Sequence, residues 1–178
     1  MIEPNHQSRR PFCAAFAIIF AVSALACRGD SAEASSHSVA AMAESGKDAG
    51  QSCDQTLWTH VYDPARLTIM KRCISASGLV EESNVDEDGD QHLLLKLDQG
   101  QDQLLVKKNL KKKNGDLVVE IVCANKVKIK KAKAACAGYS NSIPLPAVGS
   151  HIRVTGSYVI DGHNGWAEVH PVTGWQSI

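Results

Sequence analysis

Asn114-Gly115-Asp116-Leu117-Val118-Val119-Glu120-Ile121-Val122-Cys123 is the stretch that decides how this 178-residue chain folds. Asn-Gly is a strong hairpin signal, because a tight primed turn needs positive φ and these residues supply it. The residues from Leu117 to Cys123 are mainly apolar and β-branched, which reads as a strand. Side chains alternate across a strand, so Leu117, Val119 and Ile121 point into a core and Val118, Glu120 and Val122 point away from it.

The same pattern recurs on both sides. Leu67 to Val80 mixes β-branched and apolar residues, and His92 to Asp98 follows the turn Asp88-Gly89-Asp90. Leu104 to Leu110 alternates, Ile152 to Ile160 reads as a strand, and Asp161-Gly162-His163-Asn164-Gly165 turns into a last strand, Trp166 to His170, ended by Pro171. Only Lys126 to Ala137 has the Ala and Lys content for a short helix. The chain is expected to be mainly β, a small OB-like barrel of about five or six strands, with a small sandwich as the competing architecture. Closure would remove the exposed strand edges that invite aggregation.

The N-terminus carries an export address. Arg9 and Arg10 precede an apolar run of 15 residues, Phe12 to Ala26, too short for the roughly 20 that a membrane-crossing helix needs. Ala24-Leu25-Ala26-Cys27 resembles a bacterial lipobox, which makes residues 1–26 a signal peptide and Cys27 the lipidated residue. Cleavage by the general signal peptidase, leaving a secreted soluble product, is the alternative, and Ser8-Arg9-Arg10-Pro11-Phe12 is similar to a twin-arginine signal. Residues 27–52, rich in Ser, Ala and Gly, read as a disordered, lipid-anchored tether, and residues 53–178 as the folded domain. Arg28 after the cysteine favours the outer membrane if the bacterial envelope has two.

Of six cysteines, Cys13 leaves with the signal and Cys27 goes to lipid. Cys53, Cys73, Cys123 and Cys136 remain, enough for two disulfides in an oxidising compartment. Three connectivities are open, and Cys53–Cys73 with Cys123–Cys136 is favoured because each closes a short segment. Their spacing does not suit a zinc knuckle. Charge is segregated: residues 81–102 carry eight acids and one Lys, residues 107–133 ten Lys and two acids.

Period two places His92 opposite the inward Leu93, Leu95 and Leu97, and places Trp166, Glu168 and His170 opposite the inward Ala167 and Val169. His92, Glu120, Glu168 and His170 thus all lie on the face away from the core. If they converge, two imidazoles and two carboxylates suit zinc or manganese, or acid–base work without metal. If they do not, they are solvent-facing pairs. Asp86-x-Asp88-x-Asp90 begins like a calcium loop but lacks its glycine at Gln91 and its final Glu at Leu97, so it reads as an acidic turn. No Gly-x-Ser-x-Gly elbow and no phosphate-cradling glycine loop occur.

Four blocks, Gly89-Asp90-Gln91-His92, Gly115 to Ile121, Val148 to Gly156, and Gly165-Trp166-Ala167-Glu168-Val169-His170-Pro171, resemble recurring blocks of small uncharacterised bacterial exported proteins. That resemblance implies an OB-like barrel and an exported setting, with no activity to carry over.

Two functions follow as expectations. The first is a lipid-anchored binding module of the cell envelope, recognising an anionic polymer, an oligosaccharide or a partner protein through Lys111, Lys112, Lys113 and Trp166. The second is a small metal-dependent hydrolase using His92, Glu120, Glu168 and His170. No cofactor is required by the first; a divalent metal is required by the second. Nucleic acid is not expected as a partner, since no aromatic residue interleaves the lysines and the protein is exported.

Overall fold

The structure, a computed structural model, describes residues 52–178. The expected signal peptide, Cys27 and all but the last residue of the tether lie outside the described residues.

Five strands form one sheet: β1 (Leu67–Val85), β2 (Gln91–Leu97), β3 (Leu117–Ile121), β4 (His151–Asp161) and β5 (Ala167–Ser177). Their order is β1-β2-β3-β5-β4, and β4 pairs back onto β1, so the sheet closes into a ring and the sandwich alternative does not apply. All neighbours are antiparallel except β3 and β5. The inward residues read from the sequence, Leu93, Leu95, Leu117, Val119, Ile121, Ala167 and Val169, fill the ring together with Val80, Ile152, Val154 and Val172. Leu97 packs against them from a partly buried position.

Closure depends on β1, a strand of 19 residues long enough to pair on both edges. Gly78 pairs with Leu97 of β2 and with Ile152 of β4. A Cβ there would stand 2.1 Å from the carbonyl oxygen of Lys96, a backbone atom held in the ladder. Gly78→Ala is expected to cost about 2–3 kcal/mol by overpacking; a loss in urea unfolding below about 0.5 kcal/mol would contradict this geometry.

Three expected elements take a different form. Leu104 to Leu110 is not a strand but a 3-10 turn, Asp102–Leu104, followed by a short helix α1, Lys107–Lys112. Alternation recorded only that Leu104 and Val106 reach the core, which a turn also allows; Leu104 is buried there, and the Tyr158 hydroxyl donates to its carbonyl at 3.1 Å. β5 does not end at Pro171. The pairing of β4 with β5 shifts between Gly156 and Tyr158, opposite Val172 and Val169, so the proline falls in a bulge where no ladder hydrogen bond is asked of it. Lys126 to Ala137 forms only a 3-10 turn, Lys130–Ala134, pinned by the buried Ala132.

The disulfides are Cys53–Cys73 and Cys123–Cys136, with Cα–Cα distances of 5.4 and 5.5 Å, the favoured pairing of the three. They suggest an oxidising, exported environment. Among the described residues, no helix is long and apolar enough to cross a membrane.

Candidate functional site

Register brings the polar residues together. His92 on β2 lies directly opposite Glu120 on β3, and the parallel pairing of Val118 with Glu168 sets β5 alongside, its His170 two residues further on. One Glu120 oxygen, Oε1, lies 3.2 Å from His92 Nδ1, and the other, Oε2, lies 2.9 Å from His170 Nδ1. Glu168 Oε2 reaches the same His170 nitrogen at 3.2 Å, while its Oε1 accepts from the indole N–H of Trp166. All four expected residues therefore converge. They are not solvent-facing: their exposures are 8% for His92, 4% for Glu120, 0% for Glu168 and 1% for His170.

The acidic turn between β1 and β2 covers this face. Asp90 Oδ1 accepts from the backbone N–H of Cys123 at 2.8 Å, and Asp90 Oδ2 faces His170 Nε2 at 3.8 Å. Asp86 Oδ2 approaches His92 Nδ1 at 3.4 Å. Gly89, at φ 98°, lets the turn press against the chain beyond β3, where a Cβ would meet the Asn125 carbonyl oxygen at 2.8 Å. Asp86 and Asp90 were not among the residues read as functional. Their signal was present: Asp90 stands two residues before His92, on the same face of the strand.

Beside the cluster opens a cavity of about 340 Å³ whose lining includes Arg66, Asp86, His92, Lys113, Glu120 and Trp166. Of the expected binding residues, Lys113 and Trp166 meet here, with the ammonium 4.0 Å from the ring centroid. Lys111 and Lys112 are exposed on α1 and do not line the cavity. Arg66 lies 3.8 Å from Asp161 through Nε, and its buried Nη1 has no hydrogen-bond partner. Nothing in the sequence distinguished Arg66, since its role depends on where β1 begins relative to the turn after β4.

One side chain fastens helix α1 to the start of β5. Asn109 is fully buried; its Nδ2 donates to the carbonyls of Asp116 and Ala167, both at 3.0 Å, and its Oδ1 accepts from Ala167 N at 2.9 Å and Val106 N at 3.2 Å. This clamp ties the helix that precedes Lys113 to the first residue of β5.

The electrostatics follow from burial working against pairing. Burial disfavours a charged His170 ring, but Glu120 and Glu168 prevail and raise it to about 10. Burial likewise opposes a charged Glu120, and His170 and His92 overcome it, holding that carboxyl below the usual range. Asp90 is raised to about 7 and Glu168 is also raised, both chiefly by burial. For His92, burial is outweighed by Asp86 and Glu120, which bring it to about 9, with Lys113 opposing. His92 Nε2 lies 3.1 Å from Lys113 Nζ, within hydrogen-bond distance: a ring that keeps its proton on Nδ1, toward Glu120, accepts there from the ammonium.

Comparison of the chain with protein-family models, with curated proteins and with solved structures finds no match.

Proposed function

We propose that this chain is an exported, lipid-anchored binding module with an OB-like barrel, whose cavity takes an anionic group of a polymer, an oligosaccharide or a partner protein in the cell envelope. The observation that carries this reading is the gathering of Arg66, His92 and Lys113, with Trp166, around one cavity. His92 Nε2 and Lys113 Nζ lie 3.1 Å apart there. A phosphate, sulfate or carboxylate group in the cavity would pair with these side chains through charge-assisted hydrogen bonds. Trp166 offers an aromatic wall of the kind on which a sugar ring or base stacks. The ring order with β4 returning to β1, and the parallel contact of β3 with β5, support the OB-like assignment. Cys27 after Ala24-Leu25-Ala26 supports the anchor.

The test is calorimetric titration with a sulfated oligosaccharide and, separately, inorganic phosphate. Lys113→Ala is expected to weaken binding about 10- to 100-fold, the worth of a charge-assisted hydrogen bond, and Lys111→Ala less than about 2-fold. Added salt should weaken the wild type more than the Lys113 variant. Equal losses from Lys111→Ala and Lys113→Ala would mean diffuse attraction to the lysine-rich surface, and the cavity reading would fall.

A further inference from the structure

Three buried carboxyl groups surround His170. Asp90, Glu120 and Glu168, with exposures of 2%, 4% and 0%, all lie within 4 Å of a ring that is itself 1% exposed.

The same cluster holds two of the three buried side-chain polar atoms that lack a hydrogen-bond partner among the described residues, Asp90 Oδ2 and His170 Nε2, and they face each other at 3.8 Å. The other ring nitrogen, Nδ1, is engaged by Glu120 at 2.9 Å and Glu168 at 3.2 Å. To ligate, the ring gives up its Nε2 proton to solvent while Glu168 keeps the Nδ1 proton, the arrangement by which ligating histidines are usually oriented.

Other groupings are less suited. Asp86, His92 and Glu120 also come within 4.8 Å of one another, but Lys113 stands 3.1 Å from His92 and repels a cation. Asp90 with Cys123 and Cys136 offers no thiolate, because those sulfurs form a disulfide.

We propose that Asp90 and His170, with Glu120 as the third donor, bind one divalent cation that accepts mixed nitrogen and oxygen ligands, zinc or manganese. One ligand atom from each lies within 4.8 Å of the others. Zinc bonds to such atoms are ~2.0–2.2 Å, so an ion placed between Oδ2 and Nε2 is in bonding reach of both. The ion occupies both unpartnered atoms. This stands whether or not the neighbouring cavity binds an anion.

The full chain, stripped with a chelator and dialysed against zinc or manganese chloride, is expected to take up one equivalent by elemental analysis and to melt at a higher temperature than the stripped protein. Asp90→Asn and His170→Gln should each lower metal affinity at least about 100-fold, and Glu168→Gln, which loosens the ring's orientation, about 10-fold or more. His151→Gln, on the surface, should change nothing. Should the interior variants fail to fold, the wild type decides alone: cobalt uptake giving visible bands of a nitrogen–oxygen site supports the proposal. Uptake well below one equivalent with no change in melting overturns it, as does uptake that survives Asp90→Asn.

Discussion

Glu120→Gln is expected to lower the unfolding free energy of the metal-free protein by about 3–5 kcal/mol at pH 7, measured in urea. Glu120 is the one carboxylate that touches both imidazoles, at 3.2 Å to His92 and 2.9 Å to His170. Neutralising it leaves two rings in a dry interior, which must either shed their protons or stay charged without their main partner. The pH dependence carries the same signature. A His170 ring raised from 6.5 to about 10 by Glu120 and Glu168, against burial, contributes stability that is complete below pH 6.5 and is lost as pH rises through about 10. Glu120, held low by the histidines against burial, contributes stability that is complete above its usual 4.5 and is lost as pH falls further. Asp90, raised from 3.8 to about 7 by burial, adds a penalty that grows as pH climbs through that interval. The stripped protein should therefore be most stable at about pH 4.5–6.5 and weaken steadily toward pH 10. Glu120→Gln should flatten the alkaline limb. An unchanged limb would mean that Glu120 does not hold the protons on these rings.

Asn109→Ala is expected to cost about 3 kcal/mol or more and to impair the cavity as well. The substitution leaves the Asp116 and Ala167 carbonyls and the Ala167 N–H without their partner in a buried setting, each worth about 1–3 kcal/mol when unsatisfied. Because the same amide ties α1 to β5, Lys113 and Trp166 should lose their relative placement, and anion affinity should fall even in the folded fraction. Hydrogen exchange is the discriminating measurement: α1 and the start of β5 should exchange faster together. If only α1 loosens, Asn109 is a helix cap and not a clamp between elements.

Much of the sheet was legible because strands announce themselves locally. Leu93, Leu95, Leu117, Val119, Ile121, Ala167 and Val169 face the core as their alternation requires, since a pleated backbone allows no other assignment once one face is apolar. The disulfide pairing was legible as a preference for short loops. The segment from Leu104 to Leu110 misled for a definable reason. Its apolar residues alternate, yet the hydrogen bonds of Asn109 to β5, distant in sequence, determine its backbone. Pro171 misled in the same way, because whether a proline ends a strand depends on a bulge in its partner.

His92, Glu120, Glu168 and His170 were each assignable to one face from period two alone. That they meet depended on strand order and register, the opposition of His92 to Glu120 and the parallel seating of β5 on β3. Asp90 and Asp86 joined them because a turn folded over the sheet, and Arg66 because β1 starts beneath the loop after β4.

The amino-acid sequence by itself determined which residues form strands, which way each points and which cysteines can bridge, since these depend on neighbours a few positions apart. Tertiary structure alone decided that the polar face is buried, that three carboxylates surround one imidazole and that Lys113 confronts His92. Those are through-space distances between separate strands and loops, and only closure of the ring sets them.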